Sequence, residues 1–477
     1  GREQRRLTGR FLALLLGAVT CGLFIAVNTW EYPTFMLFGV LGLGYAWWLT
    51  WRGFSRRALW HMLLTVGGFL VLAWLAALPY NHWFASAYNA VRPWEGSKTP
   101  LWAYFNIHGL FLFLITSLLV WESARWLKSA RVRALTGRRN LIAAAGGLLL
   151  AALVATVWLA NRGPVVALVV VPLILWIGLL FFRPNQSIPM QFTLVIAGLA
   201  LAITLGVEVV VLEGDIGRQN TVFKFYMQVW VLLSIAGGAA FAWLYDSINR
   251  WPGLVRNVWI FAGAAMLFAA VLFPLLSVPA KAVYRLSDGT PATLDGAAFM
   301  DYTTSYFEDT GIVDMQADAR IIRWLQDNVE GTPAIMEAQS GDSYRWGNRI
   351  SIQTGLPTVI GWNFHQRQQR GLDPLQEIVW QRMANVNNFY RTTDIADAWN
   401  ILHHYNIKYL IVGGLERAVY GESGGLDKFA EMESLGLLRT VYQEGTAHIA
   451  AHIYEVNRAA GPLALAMRPA DQPADQP

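Results

Sequence analysis

A single cysteine, Cys21, is the only thiol in this chain of 477 residues. It lies inside an apolar run, so an intrachain disulfide and a thiolate-rich metal site are both excluded. Charge is scarce too: Asp, Glu, Lys and Arg together make up 14% of residues, against about 25% in soluble domains. The P-loop pattern, HExxH and CxxC are missing, which removes phosphate-loop, zincin and dithiol chemistry. No small-residue cleavage site follows the first apolar run, so that run reads as a span and not as a removable leader. No internal repeat is visible.

What the chain has instead is grease. It is 55% hydrophobic, with a mean hydropathy of +0.35. Apolar runs of roughly 20 residues, long enough for about 30 Å of hydrocarbon, recur over the first 280 residues. Nine are visible, near 8–27, 34–51, 61–80, 105–122, 141–160, 165–182, 190–212, 222–246 and 258–280. The expected fold is an α-helical polytopic membrane protein of about nine spans, residues 1–280, followed by a C-terminal extracytoplasmic α/β domain.

The net charge of +5 does not signal nucleic acid, because the cations sort by loop. Alternate loops beginning with the N-terminus hold sixteen Lys and Arg, the others four (Arg92, Lys98, Arg162 and Arg218). The positive-inside rule then puts the N-terminus in the cytoplasm and the C-terminal domain outside. An outward domain without cystines fits a prokaryotic plasma membrane.

In this topology the polar motifs of the membrane half share the outer face. They are "NTWEYP" at 28–33, the aromatic loop 78–102, and "LEGDIGRQNTVFKFY" from Leu212. Glu208 lies within the seventh run and Lys224 within the eighth. Charges in hydrocarbon cost about 2.5–3.5 kcal/mol on insertion scales, so they face a partner or a cavity. Two readings stand: Glu208 and Lys224 pair across antiparallel helices, or Arg218 and Lys224 bind a lipid phosphate. Glu31, Glu213 and Asp215 are either solvated turn carboxylates, with Glu31 at the start of a helix, or candidates for a general base or a divalent metal ion. His108 reads as a packing residue more readily than as a ligand.

Beyond residue 280 the pattern becomes that of a small α/β domain, 281–457. Helices are expected over 317–329, 392–407 (from a Thr-led cap) and "LDKFAEMESLG". Strands are expected over 333–338 and 408–414, with a closing hairpin from "LLRTVYQEG" and "AHIAAHIYEV". The Pro/Ala-rich 458–477 reads as a disordered tail. The loop 341–371 concentrates Trp346, Trp362, His365, Arg367 and Arg370 among glycines, and either binds a ligand or docks the domain.

These motifs carry a resemblance. "NTWEYPT", "SKTPLWAYFNIHGLFLFL", "NTVFKFYMQVWVLLSIA", "TGLPTVIGWNFHQRQQRG" and "IKYLIVGGLERAVYG" run in the order seen in the YYY-type multi-spanning membrane proteins, a prokaryotic family of unknown function. That family resembles the polyprenyl-phosphate-dependent glycosyltransferases of the C-type fold. The resemblance implies a membrane glycosyltransferase-like protein acting on lipid-linked sugars at the outer face, of which this chain matches the C-terminal part. The family's acidic loop and its histidine motif have no counterpart here, so no catalytic residue carries over. Asn28, Trp30, Tyr32, Asn220, Lys224, Tyr226 and the loop Gly361–Arg370 do. The implied partners are membrane lipids, polyprenyl-phosphate sugar and a membrane chain supplying an N-terminal half. A different class also fits: a non-catalytic subunit or scaffold presenting the outer domain.

Overall fold

The computed structural model describes residues 2–51, 53–83, 90–129, 163–213, 215, 217–285, 289–303, 306–308, 311–339, 344–370, 375–445 and 451–460, with scattered positions between 147 and 161. The fifth apolar run, 141–160, and the tail beyond 460 fall mostly outside these residues. The chain divides into two compact units that meet along the sequence at Leu276 and Ser277.

The first unit is helical because hydrocarbon offers no water to backbone groups, so each run must satisfy its own N–H and C=O. Its helices are α1 (Arg2–Val27), α2 (Tyr32–Trp51), α3 (Arg56–Trp83), α4 (Leu101–Ser129), α5 (Ala167–Phe181), α6 (Ile188–Val209), α7 (Gln219–Ser247) and α8 (Gly253–Arg285). Among the described residues seven of these are long and apolar enough to span a membrane; α5 is a shorter apolar helix. The chain is a multi-pass membrane protein.

Leu118 and Leu119 of α4, Val170 and Leu180 of α5, Leu194 and Leu201 of α6, and Val229 and Leu233 of α7 share one core. Ala18 of α1, Met36 of α2, and Phe69 and Ala73 of α3 form another. At the α1–α3 crossing, a Cβ on Gly22 would sit 2.2 Å from the Ala73 carbonyl oxygen, so only glycine allows that approach. No residue of α8 is buried.

One expectation is corrected here. The seventh run does not stay helical to residue 212. It leaves the helix after Val209 and continues as a strand, β2 (Val210–Leu212), pairing antiparallel with β1 (Val91–Pro93). The aromatic loop before α4 and the joint before α7 are thereby hydrogen-bonded to each other.

The second unit has a two-stranded ribbon of β3 (Tyr306–Glu308) and β4 (Gly311–Val313) and is built on a four-stranded sheet of β5 (Ala334–Met336), β6 (Ile407–Val412), β7 (Leu438–Glu444) and β8 (Ala451–Val456), in the order β5-β6-β8-β7. The β5–β6 pair is parallel and the others are antiparallel. Side chains alternate along β6. Tyr409 and Ile411 meet Ile321, Ile322 and Leu325 of the helix Met315–Asn328. Leu410 and Val412 meet Phe389 of Leu375–Arg391 and Ile395 and Leu402 of Ile395–His404. Helices therefore cover both faces. The last of these starts not at a Thr-led cap but at Asp394, whose carboxylate accepts the N–H groups of Ala396 and Asp397.

Candidate functional site

The C-terminal end of α6 and the N-terminal end of α7 bring together the charges of the joint. Glu208 is fully buried. Its Oε1 is 2.8 Å from Arg218 Nη1 and accepts from Thr99 Oγ1 at 2.6 Å, while its Oε2 accepts from the Thr99 N–H at 2.9 Å. Arg218 also donates to the Val207 carbonyl at 2.9 Å and to Thr99 Oγ1 at 3.0 Å, and lies 5.8 Å from the Trp94 ring centroid. Lys98 donates to the carbonyls of Trp94 and Glu208. The partner of Glu208 is thus Arg218 and not Lys224, because Arg218 precedes the helix and can turn back over the end of α6. Position alone along two helices admits Lys224 as that partner.

The three carboxylate candidates are each engaged by the chain itself. Asp215 Oδ1 accepts from the Asn220 N–H at 3.1 Å, and its Oδ2 accepts from the N–H and hydroxyl of Thr221 at 2.8 and 2.7 Å. It caps the first turn of α7, satisfying donors that the helix cannot. Glu213 pairs with Arg92 across the β1–β2 ribbon. Glu31 accepts from Asn28 Nδ2 at 3.0 Å and gives its carbonyl to Phe35 at the start of α2. Among the described residues no group of three or more His, Cys, Asp or Glu is placed to hold a metal ion.

The first turn and α7 do meet. Gln228 Nε2 donates to the Trp30 carbonyl at 3.0 Å, and the Trp30 ring stands edge-on to Phe225 at 6.2 Å. Tyr32 opens α2 beside this turn. Lys224 stays apart: it is half-buried, lies 5.6 Å from the Phe223 ring centroid, and has no ion-pair partner among the described residues. Below the Glu208 cluster, His108 is sandwiched between Tyr104 at 4.9 Å and Tyr226 at 4.8 Å. Neither ring nitrogen of His108, nor the Tyr226 hydroxyl, makes a hydrogen bond among the described residues.

In the second unit the loop residues close on themselves. Tyr344, in the left-handed backbone region at φ 67°, contacts His365 Nε2 through its hydroxyl at 3.0 Å. Trp362 lies 5.2 Å from the Tyr344 ring and donates to the Gly347 carbonyl at 3.0 Å. Arg367 stacks on Trp380 at 4.1 Å, and Arg370 bonds Gln366. A Gly-x-Ser-x-Gly stretch, Gly421–Gly425, had escaped notice in the sequence. It is no nucleophile elbow, because Ser423 Oγ donates to the Tyr420 carbonyl at 2.6 Å within a short 3-10 turn.

Sequence reading also missed a buried ionic cluster. Arg349, 1% exposed at its side chain, bonds Asp318 at 2.8 Å and Glu416 at 2.9 Å, and Glu337 lies 3.7 Å away. Glu337 accepts the N–H groups of Ile350 and Ser351, both at 2.8 Å. Burial pushes the Glu337 carboxyl up to about 7, against Arg349 and those two donors. Burial likewise raises Asp318 despite Arg349. For Glu416 burial acts upward, but Arg349 and the N–H groups of Ala338 and Gly413 outweigh it and hold the carboxyl below its usual range. The available signal was a carboxylate inside the apolar strand "AIMEA".

Fold and site together define a multi-pass membrane protein. Residues 1–233 match the model of a family described as "Uncharacterized membrane protein (DUF2298)", which supports a membrane family of unknown function. No curated protein and no solved structure matches the chain.

Proposed function

We propose that this chain is the lipid-handling and scaffolding part of a glycosyltransferase-like membrane protein, working on lipid-linked sugars at the outer face of a prokaryotic plasma membrane. Lys224 meets the lipid phosphate. The base that activates the acceptor hydroxyl comes from a partner membrane chain. One observation carries this reading: Glu31, Glu208, Glu213 and Asp215 all accept hydrogen bonds or ion pairs from the chain's own groups, which leaves Glu95 as an exposed carboxylate of the aromatic loop, whereas Lys224 has no counter-charge among the described residues. A general base needs a free acceptor within about 2.6–3.2 Å of the proton it takes, and a carboxylate whose oxygens cap a helix or face a guanidinium is the weaker base for it. A half-buried ammonium without a carboxylate suits a phosphate. The resemblance to polyprenyl-phosphate-dependent enzymes supplies the lipid class.

The rival reading, a non-catalytic subunit presenting the second unit to a partner, draws on the Tyr344–Trp362–His365 cluster, in which Tyr344 is 72% exposed. The test is sugar transfer from a mixed pool of polyprenyl-phosphate sugars by the purified chain. No turnover is expected from the chain alone. Turnover that disappears in Asp215→Asn would make Asp215 the base and sink the proposal.

A further inference from the structure

We propose that the chain holds an anionic phospholipid in a groove along its helices, with the phosphate at Arg125, Lys128 and Arg250 at the end remote from Glu208. This proposal is independent of the reading given for Lys224. The groove encloses a cavity of about 1240 Å³ between α4, α5, the end of α7 and α8. Along α4 it follows one helical face from Phe105 to Lys128, about 35 Å at roughly 1.5 Å per residue. That is the shape of an extended acyl chain and not of a compact solute. Trp121, Trp176 and Trp259 line it, and indoles at this depth favour the headgroup boundary.

The gap has a structural cause. α8 carries no charge from Val258 to Ala280 and has no buried residue. It touches α4 through Trp259, which donates to Ser117 Oγ at 2.9 Å and stacks on Phe113 at 5.5 Å. A helix whose apolar sides are so little covered by protein is one that lipid covers.

Charge complementarity selects the occupant. The buried carboxylate nearby, Glu122, is met by Arg183 at 2.6 Å. Arg125 lies farther from it, at 3.2 Å, is 56% exposed at its side chain, and rests over the Trp121 ring at 4.6 Å. Lys128 and Arg250 are exposed, and Asp246 is the one acid among the described lining residues. Three cations against one carboxylate, at the mouth of an apolar channel, match a phosphate diester with a hydrocarbon tail. Basic pockets between spanning helices bind acidic headgroups for this reason.

The experiment uses the full chain in a zwitterionic detergent, incubated with phosphatidylglycerol or phosphatidylcholine and read by native mass spectrometry. Retention of phosphatidylglycerol over phosphatidylcholine is expected. The double variant Lys128→Gln/Arg250→Gln should lower that retention by about thirtyfold. Gly109→Leu should lower it too, since a Cβ at Gly109 meets nothing within 4 Å and the new side chain would fill the groove without a clash. Excess inorganic phosphate should not displace the lipid. Equal retention of both lipids, no effect of either groove variant, or displacement by phosphate alone would overturn the proposal. So would the absence of retained lipid on the folded wild-type chain.

Discussion

Arg218 and Lys224 belong to one motif and carry the same charge, yet their surroundings divide their work. Arg218 is needed wherever Glu208 is buried, since removing one partner of a buried pair leaves an uncompensated charge. Arg218→Met should cost about 3–5 kcal/mol of stability, whereas Glu208→Leu/Arg218→Met should be close to neutral. Lys224→Met should change thermal unfolding little. Unfolding of the three purified variants in detergent checks this, and a Lys224 variant as damaged as the Arg218 variant would contradict the pairing. In the second unit the residue of interest is Glu337, whose carboxyl is pushed up to about 7 from the ordinary 4.5. Between these values the folded chain keeps a proton that the unfolded chain has released, so stability falls as pH rises through the window and levels off above it. Each unit of separation is worth about 1.4 kcal/mol. Asp318 adds in the same direction. Glu416, held low, acts oppositely, with its loss confined to more acid pH. The unfolding of the second unit, followed in the whole chain, should therefore move down between pH 5 and pH 8. Glu337→Gln should flatten that slope, and a wild-type stability that rises across the window would refute the assignment.

At the scale of elements, α7 begins where Asp215 lets it. Its first-turn donors have no helical acceptors, and the Asp215 carboxylate takes two of them together with the Thr221 hydroxyl. Asp215→Ala should cost about 0.5–2 kcal/mol, while Asp215→Asn, which keeps one of the two acceptor oxygens, should cost part of that. Melting of the two variants in parallel separates capping from any role that needs the charge, because a charge-dependent role would make Asn as harmful as Ala. The helices themselves were legible in the sequence, since a run of apolar residues in hydrocarbon has no alternative to the helix. What lay beyond that logic was the strand Val210–Leu212, whose residues are as apolar as the helix before them. It is extended only because Val91–Pro93 offers it a partner. Proximity of the motifs at one end of the bundle could be read from alternating spans, but not which cation reaches Glu208. That depends on Arg218 folding back from outside its helix, a matter of loop geometry that no periodicity encodes. Likewise the strand "AIMEA" was readable as buried, while Arg349, its charge partner, opens a separate short helix, Arg349–Thr354, behind Asn348 in the left-handed region.

For the whole molecule, the sorting of Lys and Arg between alternate loops implies that the second unit lies outside the cell and the turn between α7 and α8 inside. With Cys21 replaced by Ala, single cysteines at Ser434 and Asn249, both exposed, offer one reporter for each side. An impermeant maleimide applied to intact cells should label Ser434→Cys and spare Asn249→Cys; the reverse pattern would invert the topology. In that orientation the described residues divide their labour at the outer end, where carboxylates pair with cations or cap a helix and Lys224 is left for a ligand. Retention of a polyprenyl phosphate by the purified wild-type chain and by Lys224→Met, measured side by side, tests it most directly. The account expects an intact fold in both and a loss of retained lipid of about fivefold in the variant, the value of roughly one basic contact to an anionic headgroup. Equal retention by the two proteins would contradict it.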